Sequence, residues 1–206
     1  MSDRKVEWIV WGGLFLTILG ILTAYIVLPS AMQHPLPDLG AMTDFTLTNQ
    51  DNNAVTLASL RGSVCIADVI FTRCAGQCIT MSTAMKGIQS TLSDSLPVKL
   101  VSITTDPSND TPAVLKKYGA RYGAQEGRWQ FLTGDKAQLH LATFDGLKLA
   151  AVEKTPAQQD DANDLFIHST KFVLIDKEGR IRGYYDGSSP ESVSEIIAAA
   201  KNLARQ

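Results

Sequence analysis

The order of segments in this 206-residue chain predicts an α/β fold, because strand-like and helix-like patterns alternate along most of its length. Three observations support this prediction. A β-branched run at residues 63–71 is typical of a buried central strand. An apolar stripe with helical spacing follows it at 79–92. A second strand-like run occupies 98–103, so the three segments are predicted to form one strand–helix–strand unit.

Turn and capping residues predict the other elements. In chain order these are a hairpin over 45–47 and 55–57, a helix over 112–122, a strand over 129–132, a helix over 134–142, a hairpin over 171–176 and 180–185, and a helix over 190–204. Thr111 is the predicted cap of the first of these helices, with Pro112 at its first position. Thr133 is the predicted cap of the next helix, and Ser189 precedes the last.

The composition limits the classes of function. Lys and Arg number 19 and Asp and Glu number 21, so the net charge is −2. A protein that binds nucleic acid through its backbone would need a basic excess, so we expect no nucleic-acid partner. Apolar residues make up 45% of the chain, which is typical of a globular protein. Three cysteines are too few for a domain held together by disulfides.

A long apolar run near the N-terminus predicts a membrane anchor. Residues 8–28 contain no charged side chain, and a helix of that length spans about 32 Å, close to the thickness of a bilayer core. Trp8 and Tyr25 lie near its ends, where aromatic rings favour the interface. Arg4 and Lys5 precede it, so the positive-inside rule predicts a cytoplasmic N-terminus and an exported C-terminal part.

The predicted organisation therefore has four parts. Residues 1–7 form a cytoplasmic N-terminus, 8–28 a single transmembrane helix, 29–40 a proline-containing linker and 41–206 the exported domain. We expect the bacterial-type inner membrane, with the domain in the periplasm or outside the cell. Small residues just after the apolar run leave cleavage of the anchor open.

Two cysteines mark the most distinctive local feature of the exported domain. Cys74 and Cys78 are four residues apart where the buried strand gives way to a helix. At this spacing both thiols can face the same way, within range of a disulfide or of one metal ion. The helix N-terminus and Arg73 both favour thiolates. A structural disulfide is the alternative. A helix entered directly from a cysteine-bearing strand end suggests the thioredoxin-like version of the α/β fold.

Other polar and sulfur-bearing residues are interpreted by their position. Asp68 interrupts the central strand, where a carboxylate is costly unless it is protonated or paired. It is either a proton shuttle for a nearby thiol or a residue facing a polar edge. Cys65 lies in an apolar run and is predicted to be a buried core residue. Met81 and Met85 share the helical stripe, so we expect core packing rather than metal ligation.

Four segments resemble the Sco/SenC family in the same order, across about residues 41–204. These are F-T-R-C-A-G-Q-C at 71–78, S-I-T-T-D-P-S-N-D-T-P at 102–112, W-Q-F-L-T-G at 129–134, and H-S-T-K-F-V-L-I-D at 168–176 followed by G-R-I-R-G-Y-Y at 179–185. They are similar to the family's F-T-x-C-x-x-x-C, S-x-D-P-x-x-D-T-P, W-x-F-L-T-G and H-S patterns. The family usually has proline after each cysteine, and this chain has Ala75 and Ile79 instead.

The resemblance implies a thioredoxin-like fold that holds one copper ion, Cu(I) or Cu(II), through Cys74, Cys78 and His168. It implies a metallochaperone that delivers copper to, or reduces the cysteines of, the binuclear copper site of cytochrome oxidase. The expected partner is that copper-site subunit or another copper or thiol protein. Soft thiolates and an imidazole suit copper. The alternative is an anchored thiol–disulfide oxidoreductase in which Cys74 attacks, Cys78 resolves and Asp68 shuttles protons.

Overall fold

The computed structural model of the chain describes residues 3–31, 35–74, 76–149, 152–153, 166–167 and 169–206. The chain forms two compact units, Met1–Leu36 and Pro37–Gln206. The first unit contains one helix, α1 (Asp3–Ala31), which includes the apolar run at 8–28. Among the described residues, no helix combines the length and the apolar character that a membrane span requires.

The second unit is built on a seven-stranded mixed sheet. Its strands are β1 (Thr46–Asn49), β2 (Ala54–Thr56), β3 (Val64–Ile70), β4 (Val98–Thr104), β5 (Trp129–Thr133), β8 (Lys171–Ile175) and β9 (Ile181–Asp186), in the order β2-β1-β5-β4-β3-β8-β9. The three central strands β3, β4 and β5 are parallel, and the outer strands pair antiparallel. Two short strands, β6 (Val152–Glu153) and β7 (Phe166–Ile167), pair separately.

Helices lie along the sheet. They are α2 (Leu57–Leu60), α3 (Gln77–Thr91), α4 (Pro112–Tyr122), α5 (Lys136–His140), a π-helix (Leu141–Gly146) and α6 (Pro190–Arg205). Helix α6 packs against β3 and β9, α4 packs against β5, and α3 contacts both α4 and α6. Helix α5 and the π-helix contribute to a separate apolar cluster with Met42, Phe45 and alternate residues of β3 and β4. All seven side chains of β3 are buried, which confirms the prediction of a central strand.

Capping residues explain why the α4 prediction agrees with the structure. Thr111 has an extended backbone, and its hydroxyl accepts a hydrogen bond from the Val114 N–H at 3.4 Å. Pro112 occupies the first turn, where no N–H is needed. Gly123 ends the helix in the left-handed conformation, with φ of 69°. Both predicted hairpins, β1–β2 and β8–β9, are also confirmed.

The prediction that Thr133 caps the next helix is wrong. Thr133 is the last residue of β5 and pairs with Thr48 of β1. Asp135 caps α5 instead, because its Oδ1 accepts a hydrogen bond from the Gln138 N–H at 2.9 Å. The helix then continues as the π-helix rather than as regular α-helix to Ala142.

The folded unit also begins earlier than the sequence indicates. Residues 38–40, which the sequence places in the linker, lie against the start of β9. The Leu39 N–H donates to the Ile181 carbonyl at 2.9 Å, and the Ile181 N–H donates to the Gly40 carbonyl at 2.8 Å. Asp38 pairs with Arg180 at 2.6 Å. These contacts attach the chain to the sheet before residue 41.

Candidate metal and thiol site

The cysteine pair lies at the junction between β3 and α3. Cys74 follows the end of β3 by four residues, and Cys78 is the second residue of α3. The Cys78 N–H donates to the Cys74 sulfur at 3.4 Å. Gly76 precedes the helix and has no side chain to cap it, so the Cys74 sulfur serves as the acceptor for the first turn. The predicted convergence of the two cysteines is therefore present in the structure.

The two thiols differ in their surroundings. Cys78 is only 1% exposed, whereas Cys74 is partly open to solvent. The hydrogen bond with Cys74 and burial both raise the pKa of the Cys78 thiol, and the nearby Asp68 charge raises it further. The arrangement therefore presents Cys74 outward and keeps Cys78 protonated behind it.

Asp68 lies inside the protein and not at a polar edge. It is completely buried on β3, and the Ser102 hydroxyl of β4 donates to its Oδ1 at 2.6 Å. The Trp129 indole N–H of β5 donates in turn to the Ser102 oxygen at 3.0 Å. A serine hydroxyl has one proton, so the indole donation orients that proton towards Asp68. Side chains from three adjacent strands thus form one connected series of buried hydrogen bonds.

The residues just before Cys74 are held by the loop after β4. The Arg73 guanidinium contacts Asp106 Oδ2 at 2.6 Å, and Asp106 is 3% exposed. Burial raises the pKa of Asp106, but hydrogen bonds from Ser108 and Arg73 outweigh it and keep the pKa below its usual range. The sequence predicts that Arg73 acts on Cys74 as a positive charge. The structure shows that Asp106 neutralises much of that charge.

A second carboxylate from the same loop holds the preceding residue. Asp110 is fully buried and accepts hydrogen bonds from both the backbone N–H and the hydroxyl of Thr72. Sequence reasoning did not assign roles to Asp106, Asp110 or Ser102. The pattern that could have indicated them is the run of acidic and hydroxyl residues at the carboxyl end of β4, since β4 lies beside the cysteine-bearing strand.

The remaining sulfur-bearing residues are core residues, as predicted. Met81 and Met85 are buried in α3, and Cys65 is buried in β3. Burial raises the pKa of Cys65 to about 12, with only a small opposing effect from Lys99. Cys65 therefore stays a neutral thiol at physiological pH.

The third predicted ligand, His168, lies outside the described residues, as does Ala75. The described residues alone contain no group of three or more His, Cys, Asp or Glu side chains arranged to hold a metal ion. The elements around position 168 are defined, because β7 ends at Ile167 and β8 begins at Lys171. Strand β8 runs antiparallel to β3, so it begins at the edge of the sheet where β3 ends and leads to Cys74.

Comparisons with known proteins agree with the fold and with the sequence motifs. The chain is 35% identical over 161 residues to the SCO1 protein homolog of Bacillus subtilis, covering 78% of this chain and 81% of that protein. Its fold matches BsSco, described as a member of the Sco family of cytochrome c oxidase assembly proteins with a disulfide switch, at a TM-score of 0.67 and 31% identity. That match covers 84% of this chain and 99% of BsSco.

A copper-bound relative has the same architecture. Yeast Sco1 with copper bound matches at a TM-score of 0.64 and 25% identity, covering 79% of this chain and 90% of the yeast chain. These likenesses establish the α/β fold as the thioredoxin-like fold of the Sco proteins. The SCO1/SenC family profile matches residues 35–205, which is most of the folded unit. The chain therefore belongs to the SCO1/SenC family.

Proposed function

We propose that this protein binds one copper ion through Cys74, Cys78 and His168 and passes it to a partner protein. The observation that carries the proposal is the contact between the two cysteines at the start of α3, with the Cys78 N–H 3.4 Å from the Cys74 sulfur. Two thiolates and one imidazole form a donor set that suits Cu(I) and accepts Cu(II). Three ligands also leave copper a free position for transfer, whereas structural zinc usually has four.

The topology supports His168 as the third ligand. Strands β3 and β8 are antiparallel neighbours, so the residues before β8 and the residues after β3 emerge from the same edge of the sheet. His168 precedes β8 by three residues, and Cys74 follows β3 by four. This pairing of strands supports a site in which a histidine just before β8 would join Cys74 and Cys78 on a single ion.

The proposed recipient is the copper-site subunit of cytochrome oxidase or another copper or thiol protein. BsSco, which shares 31% identity with this chain, is described as belonging to a family of cytochrome c oxidase assembly proteins. A carrier of this kind either delivers copper to the binuclear site or reduces the cysteines of that site before copper arrives. Both roles use the same outward-facing Cys74.

We further propose that residues 8–28 anchor the protein in a bacterial-type inner membrane as a single span. The support is the uncharged run of apolar residues, with Arg4 and Lys5 before it. The N-terminal residues 1–7 would lie in the cytoplasm and the folded domain in the periplasm or outside the cell. Helix α1 continues to Ala31, past the predicted start of the linker at residue 29, so the connection between the anchor and the folded unit would begin after Ala31.

Competition for Cu(I) tests the copper proposal. The reduced full chain is titrated against a calibrated Cu(I) chelator, and the measurement is repeated with His168→Ala. The expected result is one copper bound per chain, with affinity reduced by about tenfold or more on loss of His168. His140→Ala is the matched control, because His140 is an exposed residue of α5 whose ring stacks on Phe144. Equal affinity in all three proteins would refute the role of His168.

The second candidate function is thiol–disulfide exchange, favoured by the burial of Asp68 behind the cysteine pair. In this reaction the Cys74 thiolate attacks a substrate disulfide and forms a mixed disulfide, and the first substrate sulfur leaves as a thiolate that takes a proton from water. The Cys78 sulfur then attacks the Cys74 sulfur and breaks the mixed disulfide. Asp68 takes the Cys78 proton and passes it to the leaving substrate sulfur, which departs as the second thiol. The substrate gains two electrons and two protons overall, and the pair becomes a disulfide.

Reduction rates separate the two functions. Rapid reduction of a peptide disulfide by the full chain, slowed in Asp68→Asn but unchanged in His168→Ala, supports the exchange reaction. Slow reduction in the unmodified protein, combined with copper binding that depends on His168, supports the copper carrier.

A further inference from the structure

Four hydrogen bonds hold the side chain of Asp110, and two of them come from Thr72, two residues before Cys74. Its Oδ2 accepts from the Thr72 backbone N–H at 3.0 Å and from the Thr104 hydroxyl at 2.5 Å. Its Oδ1 accepts from the Thr72 hydroxyl at 2.5 Å and from the Asn109 side-chain amide at 2.7 Å. A carboxylate has about four acceptor positions, so these donors occupy all of them. The carboxylate is completely buried, which protects these bonds from competition with water.

Half of these bonds go to one residue, Thr72, which lies between the end of β3 and Cys74. Strand β3 ends at Ile70, so ladder hydrogen bonds no longer hold the chain at Thr72. Asp110 replaces them by binding both the backbone and the side chain of Thr72. The position of Cys74, two residues later, therefore depends on Asp110.

The loop that carries Asp110 is itself tightly held. The Asp110 N–H donates to the Asp106 carbonyl at 2.8 Å, and the Asp106 N–H donates to the Thr104 hydroxyl oxygen at 3.0 Å. The Thr104 hydroxyl donates its own proton to Asp110. Asp106 also binds Arg73. The loop therefore joins the carboxyl ends of two neighbouring parallel strands and holds both residues that precede Cys74.

We propose that Asp110 is a positioning residue for the cysteine pair: by holding Thr72 it sets the place of the Cys74 sulfur against Cys78. The proposal rests on the use of Cys74 and Cys78 as the working pair in the proposed function. Holding two reacting groups in contact raises their effective concentration towards each other. A looser segment before Cys74 lowers that effective concentration, and the two sulfurs then form a disulfide less readily.

The equilibrium between the cysteine pair and glutathione measures this effect directly. Oxidation forms the Cys74–Cys78 bond, and glutathione disulfide takes up two electrons and two protons to become two glutathione thiols. We expect Asp110→Ala to lower the equilibrium constant for oxidation of the full chain about tenfold, the effect of one hydrogen bond to a charged group. Asp110→Asn keeps an acceptor for the Thr72 N–H but turns an amide NH2 towards the Asn109 amide, so its constant should lie between those of Asp110→Ala and the unmodified protein.

A milder variant covers the case in which Asp110→Ala does not fold. Thr72→Val keeps the shape of the side chain and the backbone bond to Asp110 but removes the hydroxyl donor. It should lower the constant about threefold, in the same direction as Asp110→Ala. A constant equal to that of the unmodified protein in the folded variants would overturn the proposal.

Gln89→Ala controls for a general loss of stability. Gln89 is buried in α3 and makes two hydrogen bonds, to Gly123 at 2.9 Å and from Gln125 at 3.0 Å, in the C-terminal half of the helix. Unfolding in urea should show both variants destabilised, but only the Asp110 variant should shift the glutathione equilibrium. A shift of equal size in Gln89→Ala would refute a positioning role. The assay contains no copper, so its result is independent of whether the chain carries copper.

Discussion

Replacing Ser102 with alanine removes one oxygen atom that makes two hydrogen bonds in the core. The Ser102 hydroxyl donates to Asp68 Oδ1 at 2.6 Å and accepts from the Trp129 indole N–H at 3.0 Å. All three side chains are completely buried. Alanine offers neither a donor nor an acceptor, so both partners lose a bond that water does not readily replace.

Adding the two losses gives a rough magnitude for the destabilisation. A hydrogen bond to a charged group contributes about 1.5–3 kcal/mol, and a buried donor left without a partner costs about 1–3 kcal/mol. We therefore expect Ser102→Ala to lower the free energy of unfolding by about 3 kcal/mol or more. A typical domain has only about 5–15 kcal/mol in total, so this is a large effect for the removal of one atom.

Urea unfolding of the full chain, followed by circular dichroism, measures the effect. Ser82→Ala is the matched control, because Ser82 is equally buried but shares one neutral hydrogen bond, of 2.8 Å, with Tyr118. It should cost about 1 kcal/mol.

A double-mutant cycle with Trp129→Phe isolates the contact between Ser102 and the indole. Phenylalanine has no N–H to leave unpaired, so the double variant should lose less than the sum of the two single variants, by about 1 kcal/mol. The contrary result is that Ser102→Ala and Ser82→Ala have equal effects, with strict additivity in the cycle. That result would refute the claim that Trp129, Ser102 and Asp68 form one connected series of buried hydrogen bonds.

Two further predictions concern stability. A methyl group added at Gly187 would lie about 2.9 Å from the Phe172 ring, so Gly187→Ala should lower the free energy of unfolding by about 1–3 kcal/mol. Gly87→Ala, in an open position of α3, should instead raise it by up to about 1 kcal/mol, and urea unfolding that ranks the two variants in the reverse order would contradict the packing argument. Hydrogen bonds from Ser188 hold the pKa of Asp186 at about 2, so its contribution to stability is present above about pH 4 and is lost as the pH falls towards about 2. The stability difference between the unmodified protein and Asp186→Asn should shrink across that range, and a constant difference would contradict the assignment.

The central β–α–β unit could be predicted from sequence because its patterns are local. The run at 63–71 is typical of a buried strand. Thr111 and Pro112 together indicate the start of α4 to within one residue. The sequence predicts the start of α5 two residues too early, because Thr133 and Asp135 are both good capping residues two positions apart. Only the pairing of Thr133 with Thr48, a contact across 85 positions, assigns Thr133 to a strand.

The candidate site could be predicted in part. The four-residue spacing of Cys74 and Cys78 indicated that they would meet, and the structure places them in contact. The roles of Asp106 and Asp110 were not predictable, because their partners Arg73 and Thr72 lie 33 and 38 positions away. Such contacts follow from the pairing of β3 with β4, and nothing in the local sequence around either carboxylate identifies its partner.

The distance in sequence between partners also explains why the sequence allows two interpretations of Asp68. A single carboxylate in an apolar strand is compatible with a polar edge or with a buried partner. Ser102 is directly opposite Asp68 in the parallel register of β3 and β4, and that register is set by tertiary packing. The sequence therefore identified Asp68 as unusual without identifying the hydroxyl that binds it.

X-ray absorption at the copper edge tests the central claim most directly, since it counts the atoms bound to the metal. The reduced full chain loaded with one equivalent of Cu(I) should show two sulfur neighbours and one imidazole nitrogen. His168→Ala should lose the imidazole contribution and keep both sulfurs, while His140→Ala should match the unmodified protein. A spectrum without two sulfur neighbours, or an imidazole contribution that persists in His168→Ala, would contradict the proposed site.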